Sequence, residues 1–497
     1  MIRRLVIAGV ALALVGCSSE VSRVGPTTLV APSTTAVPDT SAAPRQTVAP
    51  EPGSAGADGA GDVLFPTAGN GGYDVQSYDI TLSWDPASGT IEETVEIVAL
   101  ATQSLSQFNL DLLALDVAGV QVDGATASFS RTEAELVIDP PEDLVDGSTF
   151  TTMIELSGVP GETESGGWLR GPNGGALALG EPDGAAGWFP VNDHPSDKAI
   201  YTLTVTAPSE LTVASNGVLS DKVVDGSTTT WTYTNTQPQA SYLTALAIGD
   251  YQIVDGGTSA SGVPIRNVFP TDRVDELTSA FARQPQTIDA FEQRFGPYPF
   301  EVYGALVADG LDFPWALEIQ TMSVFGAFVV GGGDPDDDWV IAHELAHQWF
   351  GDSVSLEQWN DIWLNEGFAS YAEQLWAESQ QPGLDLTQRI RDELAAAPSR
   401  LVAALNEPLT SVTAEPGGLF IATVYIRGSY LLHALRLEIG DDDFQTLLLE
   451  WTATYRNGNA STADFIALAE ETSGEQLDDL FDRWLNATTM PDEFGSG

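Results

Sequence analysis

Hydrophobic and polar side chains alternate in short runs over the first half of the chain, from residue 73 to about residue 251. Clear examples are 78–84, 94–100 and 201–205, and Asp-Gly and Asn-Gly pairs interrupt the pattern between runs. A period of two puts one face of a strand into a core, and short strands separated by turn residues are typical of all-β domains. The pattern predicts an N-terminal antiparallel β saddle or sandwich at 66–255.

The hydrophobic period changes from two to about 3.6 after residue 261, which predicts helices. Helical stretches are expected at 275–295, 386–397, 424–437, 442–455 and 462–471, and strands at 302–307 and 321–330. Residues 256–497 are therefore predicted to form a second domain with a mixed sheet and a helical part. The fold class is α+β and multidomain.

The N-terminus has the features of an export signal. Arg3 and Arg4 precede an apolar run at 5–15, which is too short to span a bilayer as a mature helix. The segment ending at Cys17, the only cysteine, resembles a bacterial lipobox, so 1–17 is predicted to be a signal peptide with lipidation at Cys17. An ordinary signal peptide is the alternative. Residues 18–65 are rich in Ser, Thr, Pro and Ala and are expected to be a disordered linker. We expect a lipid-anchored protein outside the cytoplasm.

The chain is strongly acidic, with 71 acidic against 19 basic residues and a formal net charge of −52. This charge argues against binding to nucleic acid or to an anionic membrane through the protein surface. A solvated surface suited to saline surroundings is the expected reason, and attraction of cationic peptides is the alternative.

One cluster of residue types points to metal chemistry. His343 and His347 are four apart, so on a helix both rings face one side and reach one metal ion. Asp334 is the expected N-cap of that helix. Glu344 lies beside the first histidine, and Glu366, on a second helix expected to start near Asp361, supplies a third ligand. Two histidines, one carboxylate and water make an open catalytic zinc site, whereas a structural site is closed by four protein ligands.

The surrounding motifs extend this prediction to a family. They are Trp188-Phe189-Pro190-Val191-Asn192-Asp193-His194-Pro195 with Asp197-Lys198-Ala199, Phe295-Gly296-Pro297-Tyr298-Pro299-Phe300, Trp363-Leu364-Asn365-Glu366-Gly367 and Tyr425-Ile426-Arg427-Gly428. The chain resembles the gluzincin aminopeptidases of the aminopeptidase N and leukotriene A4 hydrolase type, from about residue 73 to 491. The resemblance implies a thermolysin-like domain at 256–497 and one Zn²⁺. It further implies hydrolysis of N-terminal peptide bonds by zinc-activated water. Relatives often carry a C-terminal helical-repeat domain, and none is expected here.

The resemblance also implies roles for individual residues. Glu344 is the expected general base, and Tyr425 is expected to bind the oxyanion of the intermediate. Glu318 and Glu181 are expected to bind the α-ammonium of a peptide substrate, with Ala316 beside them on the same strand as Glu318. The chain departs from the family pattern at three positions beside these glutamates, which are Leu179 near Glu181 and Trp315 and Ile319 near Glu318, and Trp315 is expected to reshape the first pocket.

The remaining histidines and Asp361 are expected to have supporting roles. His194 and His433 are expected to be structural, and Asp361 is a candidate to orient a zinc histidine. A zinc endopeptidase on the same fold is the main alternative function, and a non-catalytic surface binding protein is the second. Peptides with a free N-terminus are the expected partners.

Overall fold

The computed structural model describes residues 52–492 and 494, with gaps at 133, 162–165, 309, 311–314 and 328–337. The predicted signal peptide, Cys17, residues 18–51 of the predicted linker and Asp334 lie outside the described residues. Within the described part, no helix has both the length and the hydrophobicity needed to cross a membrane.

The first part of the chain, residues 52–250, is built almost entirely of strands, and we call it the β domain. Its strands are β1 Ser54–Ala55, β2 Tyr73–Asp85, β3 Thr90–Ala101, β4 Leu105–Asp111, β5 Asp116–Val122, β6 Ala125–Thr126, β7 Ser128–Arg131, β8 Glu135–Asp139, β9 Thr149–Gly158, β10 Gly167–Arg170, β11 Ala176–Leu179, β12 Lys198–Pro208, β13 Thr212–Ser215, β14 Val218–Asp225, β15 Thr228–Ala240 and β16 Leu246–Gly249.

An eight-stranded sheet with the order β14-β15-β12-β2-β3-β9-β5-β6 dominates the β domain. Two four-stranded sheets, β1-β4-β8-β7 and β10-β11-β16-β13, accompany it. The alternation seen in the sequence appears as alternating burial along β2 and β3, whose inward side chains enter one aromatic-rich core. All pairs in the large sheet are antiparallel except β2 with β12, which run parallel. The predicted β domain is confirmed as a sheet structure.

The second part, residues 251–494, contains all the described α-helices, and we call it the helical domain. Its helices are α1 Val274–Ala280, α2 Gln284–Phe295, α3 Asp338–Ala346, α4 Trp363–Gln380, α5 Leu386–Ala396, α6 Ser399–Ala404, α7 Ala422–Ile439, α8 Asp441–Thr454, α9 Thr462–Ser473 and α10 Asp478–Asn486. Its strands are β17 Tyr251–Thr258, β18 Pro264–Pro270, β19 Ala305–Val307, β20 Ala316–Leu317, β21 Ser323–Phe325, β22 Ser355–Leu356 and β23 Asn459–Ala460.

A five-stranded sheet, β17-β18-β19-β21-β20, carries the helices of this domain. β18, β19 and β21 run parallel, while β17 and β20 pair antiparallel at the two ends, so the sheet is mixed as predicted. Because β17 starts at Tyr251, the second domain begins a few residues before the predicted boundary at 255. The helix expected at 275–295 is two helices, α1 and α2, with a break at 281–283.

Residues 52–65 correct the predicted linker boundary. β1 pairs with β4, and the buried carboxylate of Asp62 accepts the backbone N–H of Trp359 at 2.7 Å and lies 3.3 Å from His194 Nε2. The same carboxylate accepts the N–H groups of Leu64 and Phe65. This segment therefore belongs to the folded unit and contacts both domains, although it contains few apolar side chains.

Candidate active site

Helix α3 presents the two histidines of the motif. It is apolar around most of its circumference, and its residues 340–346 are all buried, as expected for a helix enclosed by a domain. His343 lies in its last turn, and His347 follows it directly with a backbone N–H that still bonds to the carbonyl of His343 at 3.3 Å. The two rings are 4.8 Å apart between centroids.

Glu366, in the first turn of α4, joins the two histidines. Its Oε2 lies 3.3 Å from His343 Nε2 and 3.5 Å from His347 Nε2, and all three side chains are buried. Ligands about 2.1 Å from a tetrahedral zinc ion are about 3.4 Å from one another. These three atoms therefore fit a zinc ion.

The hydrogen bonds behind the triad leave the right nitrogens for a metal. His343 Nδ1 donates to Glu373 Oε1 at 2.9 Å, and His347 Nδ1 donates to the carbonyl of Phe350 at 3.0 Å. In the neutral form of each ring, Nε2 therefore carries the lone pair and faces Glu366, where it can bind a metal. Burial lowers the pKa of His343, but Glu366 and Glu373 outweigh it and hold the pKa well above its usual range. The site thus favours a positive charge, and protons compete with the metal for it.

The segment after β20 that carries Glu318 is fixed to the turn after α3 by the buried side chain of Gln348. Gln348 donates from Nε2 to the carbonyl of Glu318 at 2.8 Å, and its Oε1 accepts the N–H of Thr321 at 2.8 Å and the hydroxyl of Tyr298 at 3.1 Å. Tyr298 belongs to the motif at 295–300, which contacts residues 348–350, shortly after α3. The motif therefore supports the turn that follows the zinc helix and makes no direct contact with the triad in the described structure.

Glu181 and Glu318 form a buried acidic pair beside the triad. Glu181 follows β11, and Glu318 follows the edge strand β20, whose first residue is the predicted substrate contact Ala316. Burial raises the pKa of both carboxyls, and the negative charge of Glu318 raises that of Glu181 further. One oxygen of each, Oε1, is buried and has no hydrogen-bond partner among the described residues. Such a pair requires a proton or a cationic group between its members.

Glu344, the expected general base, lies beside His343 and His347 at the triad. Glu344 is buried. One oxygen of its carboxylate, one carboxylate oxygen of Glu318 and one ring nitrogen of His347 all lie within 4.8 Å of one another. Burial raises its pKa to about 8, with His343 and His347 opposing that rise and Glu318 adding to it. A bound cation would lower this value. A carboxyl held near neutral pKa can both accept and return a proton.

Tyr425 reaches the site because two helices approach closely. A Cβ on Gly367 of α4 would lie 3.0 Å from backbone atoms of Gly428 of α7, so any larger residue would push the two helices apart. Tyr425, one turn before Gly428, stacks near His343 with 6.1 Å between ring centroids. Burial and the nearby Glu366 raise its pKa well above the usual value, so the phenol keeps its proton and can donate.

Several predicted residues lie elsewhere. Asp361 accepts the hydroxyl of Thr462 at 2.6 Å and contacts no zinc histidine, so the prediction that it orients one is wrong. Glu373 has that role instead; it is seven residues after Glu366, two turns along the same helical face. His433 bonds to Tyr371 and Thr387 and is packed away from the triad, as expected.

Arg427, within the Tyr425–Gly428 motif, is fully buried and structural. Its guanidinium donates to four backbone carbonyls, those of Trp484, Leu405, Glu407 and Arg483. Trp315, beside β20, has 53% of its surface exposed, and its effect on the first pocket stays a prediction.

Zinc metallopeptidases of two-domain architecture combine a β domain with such a triad, and comparison with known proteins gives the same class. The chain belongs to peptidase family M1. Residues 75–243 match the peptidase M1 N-terminal domain, and residues 335–484 match the peptidase family M1 domain.

Solved structures and curated proteins agree on this family. The chain is 31% identical to the M1 zinc metallopeptidase from Deinococcus radiodurans, with a TM-score of 0.76 over 87% of this chain and 99% of that one. It is 26% identical over 445 residues to Aminopeptidase M1-B of Oryza sativa subsp. japonica, covering 84% of this chain and 50% of the relative. It is 28% identical over 329 residues to Aminopeptidase M1 of Arabidopsis thaliana, covering 64% and 37%. The chain thus spans half or less of the length of these curated relatives. These matches confirm the predicted family, the fold class and zinc as the cofactor.

Proposed function

We propose that the chain is a zinc aminopeptidase that hydrolyses the N-terminal bond of peptides. The unpaired carboxylate oxygens of Glu181 and Glu318 carry this proposal. They are buried next to the metal triad, and a peptide's α-ammonium supplies the cationic donor that both lack. An ion pair at a fixed distance from the metal selects the first peptide bond, since a longer N-terminal extension would not fit.

The remaining roles follow from the geometry. Zinc bound by His343, His347 and Glu366 would supply Lewis-acid chemistry and lower the pKa of water to about 7. Glu344 takes the proton of the attacking water and passes it to the leaving amine. The protonated phenol of Tyr425 donates to the oxyanion. The edge strand at Ala316 offers backbone groups along which an extended substrate can lie.

The relatives support this assignment by their names. Several are called aminopeptidases, and solved structures about 30% identical to the chain contain L-arginine or the peptide Tyr-Ser-Ala, the latter described as a substrate. The ligands bound in those structures carry different N-terminal side chains, so we propose peptides of mixed composition with a free N-terminus as substrates.

A matched pair of pentapeptides tests the proposal, one free and one acetylated at its N-terminus. Acetylation removes the charge that Glu181 and Glu318 bind, and one charge-assisted contact contributes about 1.5–3 kcal/mol. We therefore expect at least a tenfold loss in kcat/KM, with mass spectrometry showing cleavage of only the first bond in the free peptide. Efficient internal cleavage of the acetylated peptide would replace the aminopeptidase by the endopeptidase.

Two variants test whether Glu318 causes the preference for a free N-terminus. Glu318→Gln should reduce the difference in kcat/KM between the free and the acetylated peptide. The free peptide should be hydrolysed more slowly, because a neutral amide forms no ion pair with its ammonium group. Glu438→Gln, on the exposed part of α7, makes the same charge change away from the site and should leave the ratio unaltered. Zinc binding without hydrolysis of any peptide would support the non-catalytic binding protein.

We also propose that the enzyme is lipid-anchored outside the cytoplasm through Cys17. The apolar run at 5–15 and the lipobox-like residues before Cys17 support this, and Cys17 is the only cysteine available for acylation. Multiple acyl chains give stable attachment where a single chain is marginal. Cys17→Ser should move the protein out of the detergent-extracted membrane fraction. A wild-type protein found entirely in the culture medium would favour the ordinary signal peptide.

A further inference from the structure

The chain continues past the zinc helix α3 as a wider turn. The backbone N–H groups of Asp352, Ser353 and Val354 bond to the carbonyls five residues earlier, at 3.0, 3.2 and 3.2 Å. Three consecutive bonds of this spacing make a π-type turn, which is wider than an α-helical turn by one residue. Such turns are frequent at functional sites.

This π turn, residues 347–354, orients one zinc ligand. It contains the carbonyl of Phe350, which accepts the Nδ1–H of His347 at 3.0 Å. That bond fixes the ring so that Nε2 faces Glu366. The position of the Phe350 carbonyl, and hence of His347, depends on the turn keeping its shape.

The far end of the turn is held from the other domain. Carbonyls at a helix end have no partner within the helix. Here Lys198, the first residue of β12, donates from Nζ to the carbonyls of Asp352 at 2.8 Å and Ser353 at 2.9 Å, with that of Gly458 at 3.4 Å. A lysine has three donors and no acceptor, so it matches three carbonyls, and its charge suits the negative end of a helix.

Lys198 stands apart from an ordinary surface lysine. Its acceptors are main-chain carbonyls of the helical domain, more than 150 residues away in sequence. Burial lowers its pKa to about 7 against the opposing charge of Asp352. It closes the motif at 188–198, which none of the proposed chemical roles explains. The other lysine, Lys222, lies over the ring of Trp231 within the β domain.

We propose that Lys198 is a positioning residue for the zinc site, because it caps the π turn from the β domain and so holds the Phe350 carbonyl against His347. The β domain then influences metal binding indirectly, through the turn and the Phe350 carbonyl. The inference rests on the zinc site alone and not on which peptide bond is cleaved, so it can stand if the aminopeptidase assignment fails.

Zinc affinity, measured by competition with a chromogenic chelator, tests the inference. Lys198→Met keeps an unbranched side chain, one atom shorter, but removes all three donors, and we expect zinc affinity to fall about tenfold, the lower end of the range for residues behind a metal ligand. Lys222→Met should bind zinc like the wild type.

Asn459→Ala separates positioning from general contact between domains. Asn459 Nδ2 donates to the carbonyls of Pro195 and Leu356 at 2.8 Å, so it also links the domains but does not contact the π turn. It should lower the melting temperature and leave zinc affinity unaltered. If Lys198→Met folds with wild-type zinc affinity, or if Asn459→Ala weakens zinc equally, the proposal is overturned. Should Lys198→Met fail to fold, Lys198→Leu, which also removes all three donors, decides by the same comparison with Asn459→Ala.

Discussion

The carboxylate of Asp62 offers a quantitative test of how the N-terminal segment is held. Asp62→Asn keeps the size of the side chain and replaces one oxygen by an NH₂ group. If Oδ1 continues to accept the N–H groups of Leu64 and Phe65, the new NH₂ faces the N–H of Trp359, and a donor meets a donor.

Two routes give the same magnitude for this change. Loss of a buried hydrogen bond to a charged group costs about 1.5–3 kcal/mol. Independently, burial raises the pKa of Asp62 but His194 and the three backbone N–H groups outweigh it and lower the pKa to about 2. A fall from 3.8 to about 2 corresponds to about 2 kcal/mol of stability at neutral pH.

The sign of the pH dependence follows from the lowered pKa. The folded state binds the proton more weakly than the unfolded state, so the contribution is complete above about pH 5 and is lost as pH falls toward 2. We expect the free energy of unfolding by urea to be about 2 kcal/mol lower for Asp62→Asn at pH 7, and the difference to be roughly halved at pH 3. Asp58→Asn changes an exposed acid of the same segment, keeps an oxygen that can accept from Asn109 Nδ2, and should cost less than about 0.5 kcal/mol. A difference that is negligible at pH 7, or equal at both pH values, would refute the reasoning.

Four further predictions concern the site and the surface. Glu344→Gln should retain zinc and lose at least about a hundredfold in kcat, the usual contribution of a general base, and unchanged turnover would contradict its role. Glu373→Gln should weaken zinc affinity about 10–100-fold in chelator competition, with Glu438→Gln unaffected; equal affinities would remove Glu373 from metal positioning. Tyr425→Phe should lower kcat more than it raises KM in steady-state kinetics, because the phenol donates to the oxyanion of the tetrahedral intermediate, which the bound substrate does not yet have. The melting temperature should rise between 0.01 and 1 M salt, since screening relieves repulsion among the 71 acidic residues, and a flat profile would speak against this.

Local patterns in the sequence predicted much of the fold. The alternating runs at 78–84, 94–100 and 201–205 lie inside β2, β3 and β12, because alternation records which side chains face a core. The parallel pairing of β2 with β12 left no such record, since it joins segments more than 100 residues apart. The amphipathic helix α10 carried a visible signal in Leu480, Phe481 and Trp484 that the prediction did not use. The ordered segment 52–65 was not predicted because it is held by hydrogen bonds of backbone groups and of one carboxylate. A hydrophobicity pattern gives no sign of such bonds.

Side-chain spacing predicted the metal triad for a similar reason. Residues one turn apart on a helix must be neighbours, so His343 and His347 could be placed without a structure, and the structure brings Glu366 to them. The acidic pair was predicted only from resemblance, because Glu181 and Glu318 follow separate strands that are far apart in the sequence. Lys198 could not be assigned from sequence, since its acceptors are carbonyls that every residue possesses.

The parallel neighbour of β2 has a consequence for how the protein folds. β2 and β3 are adjacent in sequence and can form a hairpin early. The other edge of β2 stays unpaired until β12, more than 100 residues later in the chain, has formed and docked against it. An open edge with unpaired N–H and C=O groups is a template for pairing with another chain. Refolding of the β domain should therefore be slow, and its yield should fall as protein concentration rises, because a second molecule competes for the place that β12 takes.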